Sequence, residues 1–207
     1  MIEQKLIVGR YINLNIPAAA IAPYAAGAFV LVPAQQCYLL ESKGIFNKVA
    51  NVQMGPGAKA HRNFKWLPWL SGAISEVALV GSDVLTGPMS GCWLVSYRKA
   101  NGVPHAGHLG TDIAHPVETA AIKANWNNFA QNHPVDVIGG FNPFNAWVGA
   151  FPAAERGEGP PRIFGLFTTA NEYYIVFTYQ QTNPTTMVRI AGVQQAHSSP
   201  LATLQHV

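Results

Sequence analysis

Cys92-Trp93-Leu94-Val95-Ser96-Tyr97-Arg98, then Lys99-Ala100-Asn101-Gly102, then Val103-Pro104-His105-Ala106-Gly107-His108-Leu109, reads as two strands joined by a tight turn. Asn-Gly between β-rich runs is a hairpin signal, and two loop lengths compete for it. A two-residue Asn101-Gly102 loop would put His105 on the face of Cys92, but opposite Arg98, roughly 20 Å of strand away from the thiol. A three-residue loop, Ala100 to Gly102 with Gly102 left-handed, pairs Lys99 with Val103 and sets His108 opposite Leu94. His108 then shares the face of Cys92 at a diagonal separation of roughly 7 Å, within reach of leaning side chains. In that register Trp93, Val95, Tyr97, Val103 and Leu109 form one face, expected to be core. Cys92, Ser96, Arg98, Ala106, His108 and Gly110 form the other, expected to be a site.

Working outward, short apolar runs between Gly, Pro and Asn predict further strands at 6–14, 28–32, 38–41, 77–80, 163–168, 173–179 and 187–193. One helix is expected, with Pro116 at its first position and an apolar stripe from Val117, Ala120, Ala121 and Ala124 through Ile122, Trp126 and Phe129 to about Gln131. Many strands with one mid-chain helix point to the α/β class, with two packed sheets in a β-sandwich-like core and helix at one side. At 207 residues the chain is expected to form a single catalytic domain, 1–207. Residues 149–161 read as a long solvated loop, with a rim or lid over a site as the alternative. The tail, 194–207, is polar and is expected to fray.

Composition narrows the partners. Thirteen basic and ten acidic residues are dispersed along the chain, without the clusters of a phosphate-binding stripe, so no nucleic acid is expected. Two cysteines exclude a disulfide framework, and no Cys or His spacing suits a zinc site, so no metal and no cofactor are expected. Ile16 to Pro33 is apolar, but Pro17, Pro23 and Gly27 interrupt it, so it reads as a loop plus a buried strand rather than a membrane span. The start of the chain lacks the pattern of a Sec-type leader, so export would need another route.

The two cysteines differ in setting. Cys37 has no histidine within twenty residues, whereas Cys92 follows a glycine and faces His108 across the hairpin. A neighbouring imidazole lets a thiol ionise and become a nucleophile, and the imidazole then protonates the leaving group. The ring needs a third group to orient it, and Asp112 is the one carboxylate nearby, with a backbone carbonyl as the other choice. Gly91 leaves room for a substrate carbonyl to approach the amides near Cys92, which suits an oxyanion. The reaction class implied is acyl transfer from an amide. The strand-like run after Cys92 is unlike the papain layout, where the cysteine begins a helix.

Met89-Ser90-Gly91-Cys92 resembles the Leu-Ser-Gly-Cys motif of the cytotoxic necrotizing factor and Burkholderia lethal factor group of bacterial toxin glutamine deamidases. Trp66-Leu67-Pro68-Trp69 is similar to a run upstream of that motif, and His108-Leu109-Gly110-Thr111 resembles the group's His-x-Gly-Thr. Pro116-Val117-Glu118, Trp126 and Phe129 match the helix after the histidine. Met89 in place of Leu and the Gly87-Pro88 pair depart from the pattern, and the resemblance covers about 66–129. It implies packed mixed sheets with flanking helices, no metal, Cys92 as nucleophile, His108 as base and the backbone carbonyl of Thr86 as its orienting group. It further implies that the protein is a hydrolase, a secreted virulence effector that converts a glutamine of a host protein to glutamate. It is expected to be secreted by a non-Sec route or delivered into the host cell cytoplasm, with the bacterial cytoplasm as the alternative, and a monomer is expected. The alternatives are another Cys-His amide hydrolase (protease or amidase), a transglutaminase, or a non-catalytic β-rich binding protein.

Other residues carry weaker readings. His61 and Arg62 are a possible substrate rim, Trp66-Leu67-Pro68-Trp69 is an aromatic core cluster, and His115 stands at the start of the helix. His133 precedes a loop, His197 and His206 belong to the tail, and Phe141 to Trp147 is expected to be a loop pinned to the core.

Overall fold

The computed structural model describes residues 2–42 and 49–207. Its strands are β1 (Tyr11–Asn13), β2 (Phe29–Leu31), β3 (Gln35–Glu41), β4 (Val49–Met54), β5 (Asn63–Leu67), β6 (Ile74–Ala78) and β7 (Asp83–Met89). They continue with β8 (Trp93–Arg98), β9 (Pro104–Leu109), β10 (Val137–Phe141), β11 (Glu158–Phe167), β12 (Tyr173–Gln181) and β13 (Met187–Ala196). Helix α1 (Pro116–Asn132) lies mid-chain and a short α2 (Leu201–Leu204) ends it.

The α/β class with two packed mixed sheets holds, with one refinement. The first sheet closes into an eight-stranded barrel, β1-β13-β12-β11-β7-β5-β3-β4, in which β1 pairs β4 and β5 pairs β7 in parallel. The second is open, in the order β10-β8-β9-β6-β2.

Three apolar layers follow from this arrangement. Inside the barrel pack Cys37, Phe64, Leu85, Phe164, Val176 and Ile190. Between the barrel's outer wall and the open sheet pack Val84, Leu94, Phe141, Ile163, Phe167 and Ile175. On the far face of the sheet, Ile74, Val95, Tyr97 and Leu109 meet Ile122, Trp126 and Ala130 of α1. Strand periodicity explains the assignment: Val84/Leu85, Ile163/Phe164 and Ile175/Val176 are neighbours that point to opposite, equally buried faces. Such strands read as continuous apolar runs rather than alternating ones.

Several sequence expectations change. Of 6–14 only Tyr11–Asn13 is strand; Ile2–Lys5 is a 3-10 turn whose Ile2, with Leu6, plugs the barrel. The strand after the apolar Ile16 stretch is not buried, because β2 is a sheet edge with Leu31 62% exposed. Among the described residues no helix is long and apolar enough to cross a membrane. The packing face of α1 is Ile122, Trp126, Phe129 and Ala130, whereas Val117, Ala120 and Ala124 face outward. The tail does not fray: Trp126 Nε1 donates to Leu204 O at 2.6 Å, Val207 N donates to Asn127 Oδ1 at 3.2 Å, and Leu204 is buried. The loop pinned to the core is found as expected, with Phe141 buried and Trp147 packed on Phe177.

Four strands carried too little apolar signal to be marked. β4, β5 and β7 contain Asn51, Gln53, Lys65, Asp83, Gly87 and Pro88, and β10 contains Gly139-Gly140. Two of these residues have evident partners in space: Lys65 Nζ donates to the carbonyls of Ala78 and Val80 at 2.7 Å each, and a Cβ on Gly140 would come within 2.7 Å of Leu94 O.

Candidate active site

The hairpin register is the three-residue one. Leu94 pairs with His108, Lys99 N donates to Val103 O at 3.2 Å, Gly102 N donates to Lys99 O at 2.7 Å, and Gly102 has φ +74°. His105 lies opposite Tyr97, stacks on its ring and sits 2.9 Å from Val103 O through Nδ1, far along the strand from the thiol.

The two faces differ from expectation. Val95, Tyr97 and Leu109 are core against α1 as foreseen, but the supposed site face is core as well, because it packs on the barrel. Ser96, Ala106 and His108 are all fully buried there. Two polar groups on that face find partners across the gap: Ser96 Oγ lies 2.7 Å from Tyr173 OH of β12, and His108 Nδ1 lies 2.8 Å from Thr86 Oγ1 of β7. The Thr86 contact corrects the reading that resemblance suggested. The group touching the ring is the threonine hydroxyl, not the backbone carbonyl, so the side chain at 86 is constrained after all. Asp112 is not the orienting group either, since its carboxylate accepts from Ala114 N and meets His115 Nδ1, both at 2.9 Å.

Arg98 is exposed at one end of this face, and at the other end Cys92, 4% exposed, borders a cleft. The cleft, of about 810 Å³, is lined by Ser90, Gly91, Cys92, Trp69, Thr111 and Asp112, with Lys123 of α1 and Arg162 of β11 on its walls. That volume suits a small-molecule or side-chain site. Trp66 and Leu67 of the tryptophan-rich run are packed as expected for a core cluster, but Trp69 is 38% exposed at the cleft. The expected loop 149–161 is strand from Glu158 onward, and the cleft is bordered by Pro161 and Arg162 of β11 and by no residue of 149–157; His61 and Arg62 do not line it, and Arg62 pairs with Glu41 at 2.9 Å.

Within the site, the structure brings Thr86 and His108 together and leaves the thiol engaged elsewhere. Cys92 Sγ donates to Thr111 O at 3.5 Å, and Thr111 Oγ1 donates to Sγ at 3.7 Å. No hydrogen bond joins the thiol to the imidazole, and His108 Nε2 is buried without a partner among the described residues. An unpaired buried nitrogen costs about 1–3 kcal/mol and asks for an explanation. Thr111 is the residue that the sequence reading passed over, although it stands in the quoted His108-Leu109-Gly110-Thr111.

Burial sets the protonation states. It pushes the His108 imidazole from its ordinary 6.5 down to about 3. It also raises the Cys92 thiol, an effect that the Thr111 bonds partly offset and the Asp112 charge reinforces. Cys37, inside the barrel, is pushed up to about 11 by burial. The resting pair is therefore neutral thiol and neutral imidazole, not the ion pair expected from sequence. For Nε2 to act as a base, Nδ1 must carry the proton and donate it to Thr86 Oγ1.

Glycines position both strands. Gly91 has φ +141°, which L side chains rarely adopt, while a Cβ there would meet nothing within 4 Å; its requirement is conformational. Gly110 is required for space instead, because a Cβ would lie 1.8 Å from Leu70 O.

Two predictions follow from these placements. Gly110→Ala must displace backbone behind His108 and is expected to lower unfolding free energy by about 1–3 kcal/mol or more, measured by urea denaturation; an unchanged midpoint would contradict the packing. Folded His108 resists protonation down to about pH 3, whereas the unfolded ring takes a proton below about 6.5. Its contribution is present above pH 6.5 and is lost as pH falls toward 3. Urea midpoints compared at neutral and acid pH should fall less for His108→Asn than for the wild type, and equal falls would show that the ring is not buried neutral.

No family model matches the chain, and no curated protein matches it.

Proposed function

We propose that the chain is a cysteine-dependent glutamine deamidase acting on a host protein. The observation that carries this reading is a cleft of about 810 Å³ bordered by Cys92, itself only 4% exposed, beside the buried seam where Thr86 meets His108 and Nε2 is unpaired. A glutamine side chain is slender and polar at its tip, and suits entry between Trp69 and the Ser90 to Cys92 turn.

In this reading the thiol leaves Thr111 for His108 Nε2 as substrate arrives. Sulfur attacks the carboxamide carbon while its proton passes to Nε2, giving a tetrahedral adduct. The imidazolium returns that proton to the amide nitrogen, ammonia leaves, and a thioester remains on Cys92. Water, deprotonated by the same ring, hydrolyses the thioester to glutamate and restores the thiol. Because burial disfavours both the thiolate and the imidazolium, the proton transfer accompanies attack rather than preceding it. The host target and delivery by a non-Sec route belong to the same proposal.

Mass spectrometry of a eukaryotic cell lysate treated with the protein or with Cys92→Ser tests it, in the presence and absence of a primary amine. Glutamine-to-glutamate conversion at a few sites, lost in Cys92→Ser, is the expected outcome. Cys92-dependent amine incorporation would assign a transglutaminase, and Cys92-dependent cleavage a protease. No Cys92-dependent change at all would favour a non-catalytic binding protein.

A further inference from the structure

Asn142 directly follows β10 and is buried, 9% exposed. Both ends of its side-chain amide are in use. Oδ1 accepts from Phe144 N at 3.0 Å and Asn145 N at 3.3 Å, which builds the turn, while Nδ2 donates to Gly91 O at 3.1 Å. The second bond spans 51 residues and reaches the peptide that precedes the candidate nucleophile.

That peptide is trans, so its carbonyl and its N–H point in opposite directions. Holding Gly91 O on Asn142 therefore turns the Cys92 N–H away from Asn142, in a turn whose Ser90, Gly91 and Cys92 border the cleft. Among the described residues, neither this amide nor those of Ser90 and Gly91 donates to any group. A Cβ on Gly91 would meet nothing, so the approach to these amides is open. Unpaired amides beside a nucleophile, fixed in direction, are the parts of an oxyanion hole.

We propose that Asn142 is a positioning residue: by clamping the Gly91 carbonyl it aims the Cys92 amide at the oxygen that becomes negative when the thiol attacks an acyl carbon. The inference rests on Cys92 performing acyl transfer and adds the group that orients its oxyanion donor. It does not depend on which amide is the natural substrate, so a small acyl donor can test it. With p-nitrophenyl acetate, Cys92 sulfur bonds to the acetyl carbon and the carbonyl oxygen takes the negative charge. Collapse of the adduct breaks the bond to p-nitrophenolate, which leaves with the electron pair, and the thiol proton goes to His108. Alkylation by iodoacetamide, displacement at a saturated carbon, forms no oxyanion and is the control.

Acetylation and alkylation of Cys92 are followed by intact-peptide mass spectrometry in the wild type, in Asn142→Asp and in Asn142→Ser. Asp keeps an oxygen for the Phe144 and Asn145 amides and loses the donor to Gly91; Ser offers a second, smaller turn-former should Asp not fold. The expected result is acetylation slowed by about tenfold or more with alkylation unchanged. Equal slowing of both reactions, or no change in either, would overturn the inference. A wild-type Cys92 that is never acetylated would overturn the acyl-transfer reading and the inference together. Asn142-sensitive acetylation in a protein that leaves lysate glutamines intact would support the clamp while removing glutamine deamidation alone.

Discussion

Burial of both faces of the open sheet is the constraint on which the site depends. One face of β8 and β9 is covered by α1 and the other by the outer wall of the barrel, so a histidine on β9 has nowhere solvated to point. Every polar group on the barrel-facing side must find a partner across the seam or carry the cost of having none. Ser96 meets Tyr173, Lys65 meets the end of β6, and His108 meets Thr86 through one nitrogen only. These bonds bridge barrel and sheet, so the geometry of the imidazole is fixed by the packing of two sheets rather than by a mobile loop. Cys92 borders the cleft beside this seam, at the turn by which the chain leaves β7 of the barrel for β8 of the sheet.

The same burial gives the pair its electrostatic character. A thiolate and an imidazolium formed in an apolar seam would each lose hydration, and their mutual attraction compensates only with good geometry and further hydrogen bonds. The resting state therefore keeps both groups neutral, with sulfur held at Thr111 and Nε2 unpaired. In the proposed mechanism charge forms only as the thiol attacks. An oxyanion donor aimed in advance by Asn142 fits that economy, since a preorganised amide needs no rearrangement when the charge develops.

What the sequence revealed was local. Asn101-Gly102 marked the hairpin but fitted two loop lengths, since both place a glycine at positive φ; sharing of a face by His108 and Cys92 pointed to the three-residue loop, and the structure has it, with His108 opposite Leu94. Pro116 marked the start of α1. Barrel closure was not legible, since it depends on β1 meeting β4 and β5 meeting β7 in parallel, pairings between strands that no turn connects. The polar face of the hairpin looked solvated because a single sequence shows Ser96 and His108 but not the Tyr173 and Thr86 that satisfy them. Thr111 and Asn142 were passed over for a related reason: each acts on a sulfur or a carbonyl distant in the chain, and nothing in its own neighbourhood signals that.

The central claim is that Cys92 and His108 work as a proton-transfer couple although no hydrogen bond joins them at rest. The rate of Cys92 alkylation by iodoacetamide at neutral pH, compared between the wild type and His108→Asn with Cys37 as internal reference, tests this directly. The account predicts that loss of the imidazole slows Cys92 by at least about tenfold and leaves the deeply buried Cys37 unchanged. A Cys92 that reacts at the same rate with and without His108 would contradict it.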